Sequence, residues 1–196
     1  KFDLAAIPVV VNPRPLAPSV RDLDLCANEN VILTAIAQGG TINWYNSPTA
    51  TTPIGTGNTF DAGTMASGVH IFYAEQIVNG CASERAPLTV RINDIPTMPS
   101  ASSLTICANM TATLTATGTG IRWYADAALN NQIATGNNYT TPILTTNTTY
   151  YFTSTNTNGC TSTAANVTVS IEALPNAPLA IGDTICNNES TTLTAN

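Results

Sequence analysis

The chain has 196 residues, a formal net charge of −6, 9% charged residues and 43% hydrophobic residues. Its six Lys and Arg are too few and too scattered to form a phosphate-binding surface, which excludes nucleic acid and a basic membrane-surface patch as partners. The apolar content suits filled cores and excludes a disordered chain, while no apolar run approaches the ~20 residues of a spanning helix.

Thr is the commonest polar residue, at 33 of 196, and Lys1 is the only lysine. A Lys–Asn isopeptide bond therefore cannot brace the repeats internally, and any covalent reinforcement falls to the five cysteines. Their spacing is periodic and fits no zinc motif, which points to disulfides and an oxidising compartment.

In chain order, Ile7, Val9 and Val11 alternate as a strand and lead to Pro15 and Pro18. The same series recurs at Leu88, Val90, Ile92, Pro96 and Pro99, and once more at Val167, Val169, Ile171, Pro175 and Pro178. Proline fixes φ and disfavours helix in the residue before it, so each Pro-x-x-Pro joint is expected to be short, extended and semi-rigid. Cys26, Trp44 and Cys81 recur at the same interval as Cys107, Trp123 and Cys160, and Cys186 restarts the series. The interval is near eighty residues, which makes each period a domain with its own core rather than a solenoid turn. The expected organisation is the last strand of a preceding repeat over 1–14, repeats over 15–95 and 96–174, and the start of another repeat over 175–196. The chain thus reads as a slice of a longer array, continued at its end by Thr191, Leu193 and Ala195 in the register of Ala112, Leu114 and Ala116.

Within each repeat the periodicity is two. Val31, Leu33 and Ala35 form one alternating strand, and Ala112, Leu114 and Ala116 its counterpart among threonines. Ile42 and Trp44, like Ile121 and Trp123, share one side of the strands expected at 41–45 and 120–124. Short strands run into turns at 54–57 and 133–136. Long strands over 70–76 and 149–155 lead to Asn79-Gly80 and Asn158-Gly159, which read as hairpin turns because both residues tolerate positive φ. Final strands pass through Leu88, Val90 and Ile92 or Val167, Val169 and Ile171. About seven short strands per repeat, with no sustained helical period, predict an all-β chain of tandem immunoglobulin-like or fibronectin-III-like sandwiches of about 80 residues each.

Few residues suggest chemistry. Four cysteines allow three connectivities; repeat logic favours Cys26–Cys81 and Cys107–Cys160, because each unit then folds independently. Cys186 is expected to pair beyond Asn196. Trp44 and Trp123 read as core anchors. Tyr45 and Tyr124 follow them, face the other way and are the candidates for a surface contact. His70, matched to Thr149, and Asp61 and Glu75, matched to Thr140 and Ser154, have no repeated partners for acid–base or triad catalysis. Asp22 and Asp24 do not make a calcium loop. Asn109-Met110-Thr111, Asn147-Thr148-Thr149 and Asn166-Val167-Thr168 fit the glycosylation pattern. No catalytic, metal or cofactor site is expected.

Trp123-Tyr124, Ala134-Thr135-Gly136-Asn137, Thr148-Thr149-Tyr150-Tyr151-Phe152, Asn158-Gly159-Cys160 and Val167-Thr168-Val169 together resemble the immunoglobulin-like repeats of very large secreted surface proteins of Bacteroidota. The SprB-type gliding-motility adhesins, exported by the type IX secretion system, are the best-known carriers. The cysteines depart from the antibody pattern, one preceding the first core strand and the other following the Asn-Gly turn, so they pin an edge rather than link the sheets. Ile71 stands in the register of Tyr150, which leaves a tyrosine corner to the second repeat alone.

The resemblance implies a non-enzymatic, structural and adhesive filament, attached to the outer membrane and exposed on the cell surface. Its expected partners are neighbouring repeats, a substratum or surface polysaccharide, and the motility and secretion machinery. The alternatives are a carbohydrate-binding module using Tyr45 and Tyr124, or a spacer in a secreted multidomain hydrolase.

Overall fold

A computed structural model of the chain describes residues 10–173, 182 and 184–192. The strand expected through Ile7 and Val9, the joint at Pro175 and Pro178, and the register matches at Leu193 and Ala195 lie outside the described residues. The chain forms two compact units: residues 1–96 with 156–161, and residues 97–155 with 162–196. No helix occurs among the described residues.

The first repeat contributes β1 (Ser19–Val20), β2 (Leu23–Cys26), β3 (Asn30–Ile36), β4 (Thr41–Tyr45), β5 (Gly55–Thr56), β6 (Thr59–Thr64), β7 (Gly68–Val78), β8 (Cys81–Ala82) and β9 (Ala86–Asn93). One sheet has the order β1-β3-β6, and the other β2-β9-β7-β4-β5 with β8 hydrogen-bonded to β7. The expected alternation is realised in β3, where Val31, Leu33 and Ala35 are buried and their neighbours exposed. Facing them across the sandwich are Ile42 and Trp44 of β4, Phe72 and Ala74 of β7, and Leu88, Val90 and Ile92 of β9. Burying each large apolar side chain contributes roughly 1.5–3 kcal/mol, which is why a two-residue period suffices to define the core face.

The second repeat runs β10 (Ser100–Ala101), β11 (Leu104–Cys107), β12 (Thr113–Thr117), β13 (Arg122–Tyr124), β14 (Gln132–Thr135), β15 (Asn138–Thr140), β16 (Thr148–Thr153) and β17 (Ala165–Glu172). Its sheets are β10-β12-β15 and β11-β17-β16-β13-β14, the same plan. Leu114, Ile121, Trp123, Phe152, Val167 and Val169 form its core. Trp44 and Trp123 are fully buried, and each indole N–H donates to a glycine carbonyl, Gly57 at 2.8 Å and Gly136 at 2.9 Å.

Two features fix the direction of travel. β2 runs parallel to β9 and β11 parallel to β17, whereas every other pairing of these strands is antiparallel. The turn after β7 uses positive φ at both Asn79 and Gly80, the hairpin geometry expected of Asn-Gly. The second hairpin differs: only Gly159 has positive φ, and Asn156 shapes the tip by accepting at Oδ1 from the amides of Asn158 and Cys160.

The β7/β16 register also differs from the sequence alignment by one position. Phe72 lies opposite Leu88 and Tyr150 opposite Val167. Phe72, not Ile71, is therefore the counterpart of Tyr150, and Thr148 and Thr153, not Thr149 and Ser154, answer His70 and Glu75. One extra residue in the β16–β17 hairpin restores the offset before the cysteines, since Ser83 bonds back to Gln76 but Ser162 to Ser154.

Tyr150 is buried, with its ring edge-on to Tyr139 at 5.2 Å. Burial, then the nearby Tyr139 phenol, pushes its ionisation up from 10.0 to about 12. The folded protein holds this proton more tightly than the unfolded one, so the associated stability is complete below pH 10 and is lost as pH rises through about 12. Phenolate absorbance during alkaline titration should include a component ionising near pH 12, and Tyr150→Phe should remove that component together with that part of the alkaline destabilisation. Unchanged titration curves in the variant would contradict this assignment.

Candidate functional site

The first candidate feature is covalent. Cys26, the last residue of β2, is bonded to Cys160, with Cα atoms 5.6 Å apart and a sequence separation of 134. The expected pairs Cys26–Cys81 and Cys107–Cys160 are not formed; Cys81, Cys107 and Cys186 are free thiols.

The reason lies in the parallel pairing. Cys26 sits opposite Asn93, at the C-terminal end of β9. Cys81 lies in the hairpin that precedes Ala86, the N-terminal end of the same strand. An eight-residue strand separates the two poles by roughly 23 Å at 3.3 Å per residue, far beyond the ~4.4–6.8 Å a disulfide spans. Cys107, opposite Glu172 at the end of β17, is separated from Cys160 in the same way.

Cys160 reaches Cys26 because the tip of the β16–β17 hairpin, residues 156–161, belongs to the first compact unit. Asparagines seat it there. Asn156 Nδ2 donates to the Asp94 carbonyl at 2.8 Å, and Asn158 Nδ2 donates to Asn93 Oδ1 at 3.0 Å. Asn93 Nδ2 in turn donates to Asp24 Oδ1 and the Leu25 carbonyl, and the Ala27 amide donates to the Asn93 carbonyl at 2.8 Å. Each asparagine offers a donor and an acceptor, so the tip is held by directional bonds on both sides of the sulfur bridge. Cys160 is fully buried. Sequence reasoning took Asn158 only as a turn residue and passed over Asn93 and Asn156, although Asn12/Asn93 and Asn79/Asn158 repeat in the domain register.

The second cluster surrounds Tyr45. The expected open ring is instead 4% exposed, covered by the Arg85 guanidinium 3.6 Å above its centroid. The Tyr45 hydroxyl donates to Glu75 Oε2 at 2.7 Å, and Glu75 lies 3.7 Å from Arg85. Burial first, then this bond to a carboxylate, raises the Tyr45 ionisation above its ordinary value. Arg85 also donates to the carbonyls of Ser47, Pro48 and Ala50, and so clamps the loop after β4. An open depression of about 700 Å³ lies here, lined by Arg14, Tyr73, Glu75 and Arg85 among others. In the second repeat Tyr124 is half-buried, and Ala164 and Thr153 stand where Arg85 and Glu75 stand in the first. Thr153 is buried, and its hydroxyl has no protein partner. The two tyrosines therefore do not form a repeated aromatic platform.

The remaining candidates are local. His70 shares a hydrogen bond of 2.9 Å with the Ala66 carbonyl. Asp22 accepts from the Thr89 amide and Asp24 from Asn93, both serving the β2–β9 edge. Asp61 accepts from the Gly63 amide. Among the described residues no group of three or more His, Cys, Asp or Glu is placed to hold a metal ion, and no helix is long and apolar enough to cross a membrane. Asn109 and Asn166 are exposed, and so is Asn147, whose Oδ1 accepts from the Ile171 amide at 2.7 Å.

The sequence model of the family described as Ig-like domain, CHU_C associated, matches the chain twice, over residues 15–93 and 96–172. No curated protein is detectably similar in sequence. Among solved structures, the chain is similar to the fibronectin(III)-like modules of Clostridium thermocellum CbhA, at 16% identity and a TM-score of 0.49, covering 80% of this chain and 94% of that one. It is also similar to the complex of a mouse coronavirus receptor-binding domain with its murine receptor, at 11% identity and a TM-score of 0.42, covering 80% and 100%. The Ig1-2 module of the Drosophila receptor protein tyrosine phosphatase DLAR matches at 13% identity and a TM-score of 0.30, covering 80% and 99%.

Proposed function

Since the chain belongs to the CHU_C-associated family of Ig-like domains, we propose that its two repeats are a load-bearing stretch of a long adhesive filament on the outside of the cell. The observation that carries this reading is the Cys26–Cys160 bond, which joins one sequence repeat to the hairpin of the next. Tension entering before Cys26 and leaving after Cys160 passes through the sulfur bridge and bypasses the residues between. Such a bypass has a purpose in a protein that is pulled. It also requires an oxidising environment, consistent with export.

In this reading the repeats carry out no catalysis; they supply reach and mechanical integrity. The finer form of the proposal is a SprB-type gliding-motility adhesin, exported by the type IX system and attached to the outer membrane. Its partners are adjoining repeats, a substratum or surface polysaccharide, and the motility machinery. Thr-rich, charge-poor strand faces hydrate well and attract few charged partners, which suits a spacer between anchor and target.

The test is surface labelling. Antibodies against residues 15–172 should label intact cells that make this protein, and external protease should remove the label. Label reached only after lysis would overturn the reading. A glycan array probed with the full chain separates the competing view: binding that is lost on Tyr45→Ala or Arg85→Ala would mark a carbohydrate-recognition module instead.

A further inference from the structure

Two half-buried thiols, Cys81 and Cys107, stand in repeat register with the two cysteines that are bonded, Cys160 and Cys26 respectively. We propose that they are the open halves of the same staple: Cys107 pairs with the hairpin cysteine of a following repeat, and Cys81 with the β2-end cysteine of a preceding one. The chain is then one segment of a continuous disulfide ladder. The inference deepens the filament reading but stands on repeat geometry alone.

The backbone setting of Cys107 repeats that of Cys26. Cys26 lies opposite Asn93, and the Ala27 amide donates to the Asn93 carbonyl. Cys107 lies opposite Glu172, and the Ala108 amide donates to the Glu172 carbonyl at 3.1 Å. Cys107 is thus presented at the end of β17 as Cys26 is at the end of β9.

The other half is visible at Cys81. Asn12 is the register equivalent of Asn93, and Asn79 that of Asn158. Asn12 Nδ2 reaches the Asn79 carbonyl at 3.5 Å, and the Cys81 thiol donates to the Asn12 carbonyl at 3.8 Å. A preceding repeat whose β2-end cysteine lies opposite Asn12, as Cys26 lies opposite Asn93, delivers that sulfur to Cys81. Each bond forms when two thiols give up two protons and two electrons to the disulfide of a thiol–disulfide oxidoreductase, which leaves as a dithiol.

Cys186, in the register of Cys26 and Cys107, extends the ladder, and successive loops then overlap. The taut covalent path jumps from Cys26 to Cys160, follows the chain to Cys186 and jumps again. The stretch from Cys160 to Cys186 extends to ~90 Å, whereas the whole chain from Cys26 to Cys186 extends to ~540 Å. The ladder cuts the reachable extension about sixfold.

The test is a three-repeat chain in which residues 1–174 continue into a copy of residues 96–172, with Ala164→Ser in the copy as a mass tag. Non-reducing peptide mapping should find Cys26–Cys160 together with Cys107 joined to the appended copy of Cys160, and Cys81 free. The mirror chain, with a copy of residues 15–95 placed ahead of Pro15, should join the leading copy of Cys26 to Cys81. Formation of Cys26–Cys160 reports folding in the first chain and Cys107 remaining free reports specificity in the second. A free Cys107 beside an intact Cys26–Cys160 bond in the first chain, or Cys107 joined to a cysteine of its own repeat, overturns the ladder. Neither result depends on where the protein resides in the cell, so the ladder and the filament reading fail separately.

Discussion

Stretched between its ends in oxidising buffer, the chain is expected to yield only the segments outside the sulfur bridge, 1–25 and 161–196. After reduction with a dithiol it should yield the enclosed loop as well. That loop spans 134 residues and adds ~450 Å of extended chain at about 3.4 Å per residue. The difference arises because force is carried by the shortest covalent path. With the bridge intact, unfolding of β3 to β16 releases no length, so tension acts on β1, β2 and β17 and leaves the enclosed strands unloaded. Single-molecule force extension measures this directly, and Cys26→Ser should reproduce the reduced trace without reductant. Release of the full loop length from the oxidised chain would contradict it. In the loop-entropy model, closing a loop of this size also restricts the unfolded chain by about 5 kcal/mol, so Cys26→Ser is expected to lower stability by about 2–5 kcal/mol even without load.

Trp123→Ala is expected to cost about 3–5 kcal/mol, the range for truncating a fully buried tryptophan. Trp123 is enclosed, touches Phe152 at a ring distance of 4.7 Å and Tyr139 at 5.8 Å, and satisfies its N–H on Gly136. Truncation leaves a cavity lined by those rings and strands the Gly136 carbonyl. An eighty-residue core supplies only about 3–5 kcal/mol of net stability, so the second repeat should lose its fixed packing. The neighbouring Tyr124→Ala, at a half-buried position, should cost about 1 kcal/mol or less. Denaturant titration followed by near-ultraviolet circular dichroism distinguishes the two variants. Equal effects would show that Trp123 is not the anchor of its core.

The core was legible in the sequence because a two-residue period has one physical meaning on a pleated strand. Val31, Leu33 and Ala35 had to face one way, and Trp44 and Trp123 had to share the side of Ile42 and Ile121. The hairpin at Asn79-Gly80 followed from positive φ. The register of β7 was harder to read: the first repeat carries one residue more than the second ahead of β7 and one fewer in the hairpin after it, so Phe72 rather than Ile71 answers Tyr150. Tyr45 showed the limit of alternation. Its side of β4 is not open, because Arg85, far along the sequence, folds over its ring.

What the sequence determined by itself is the brick: a period near eighty, its strands and its tryptophan-centred core, all encoded in local alternation and in repetition of that alternation. What only the tertiary structure decided is which cysteines meet. Spacing within a repeat made Cys26 and Cys81 look like partners. The parallel pairing of β2 with β9 puts them at opposite poles of the sandwich, and the hairpin of the second repeat brings Cys160 to Cys26 instead. A disulfide forms between thiols that are close in space, and closeness here depends on strand direction, which residue spacing does not carry.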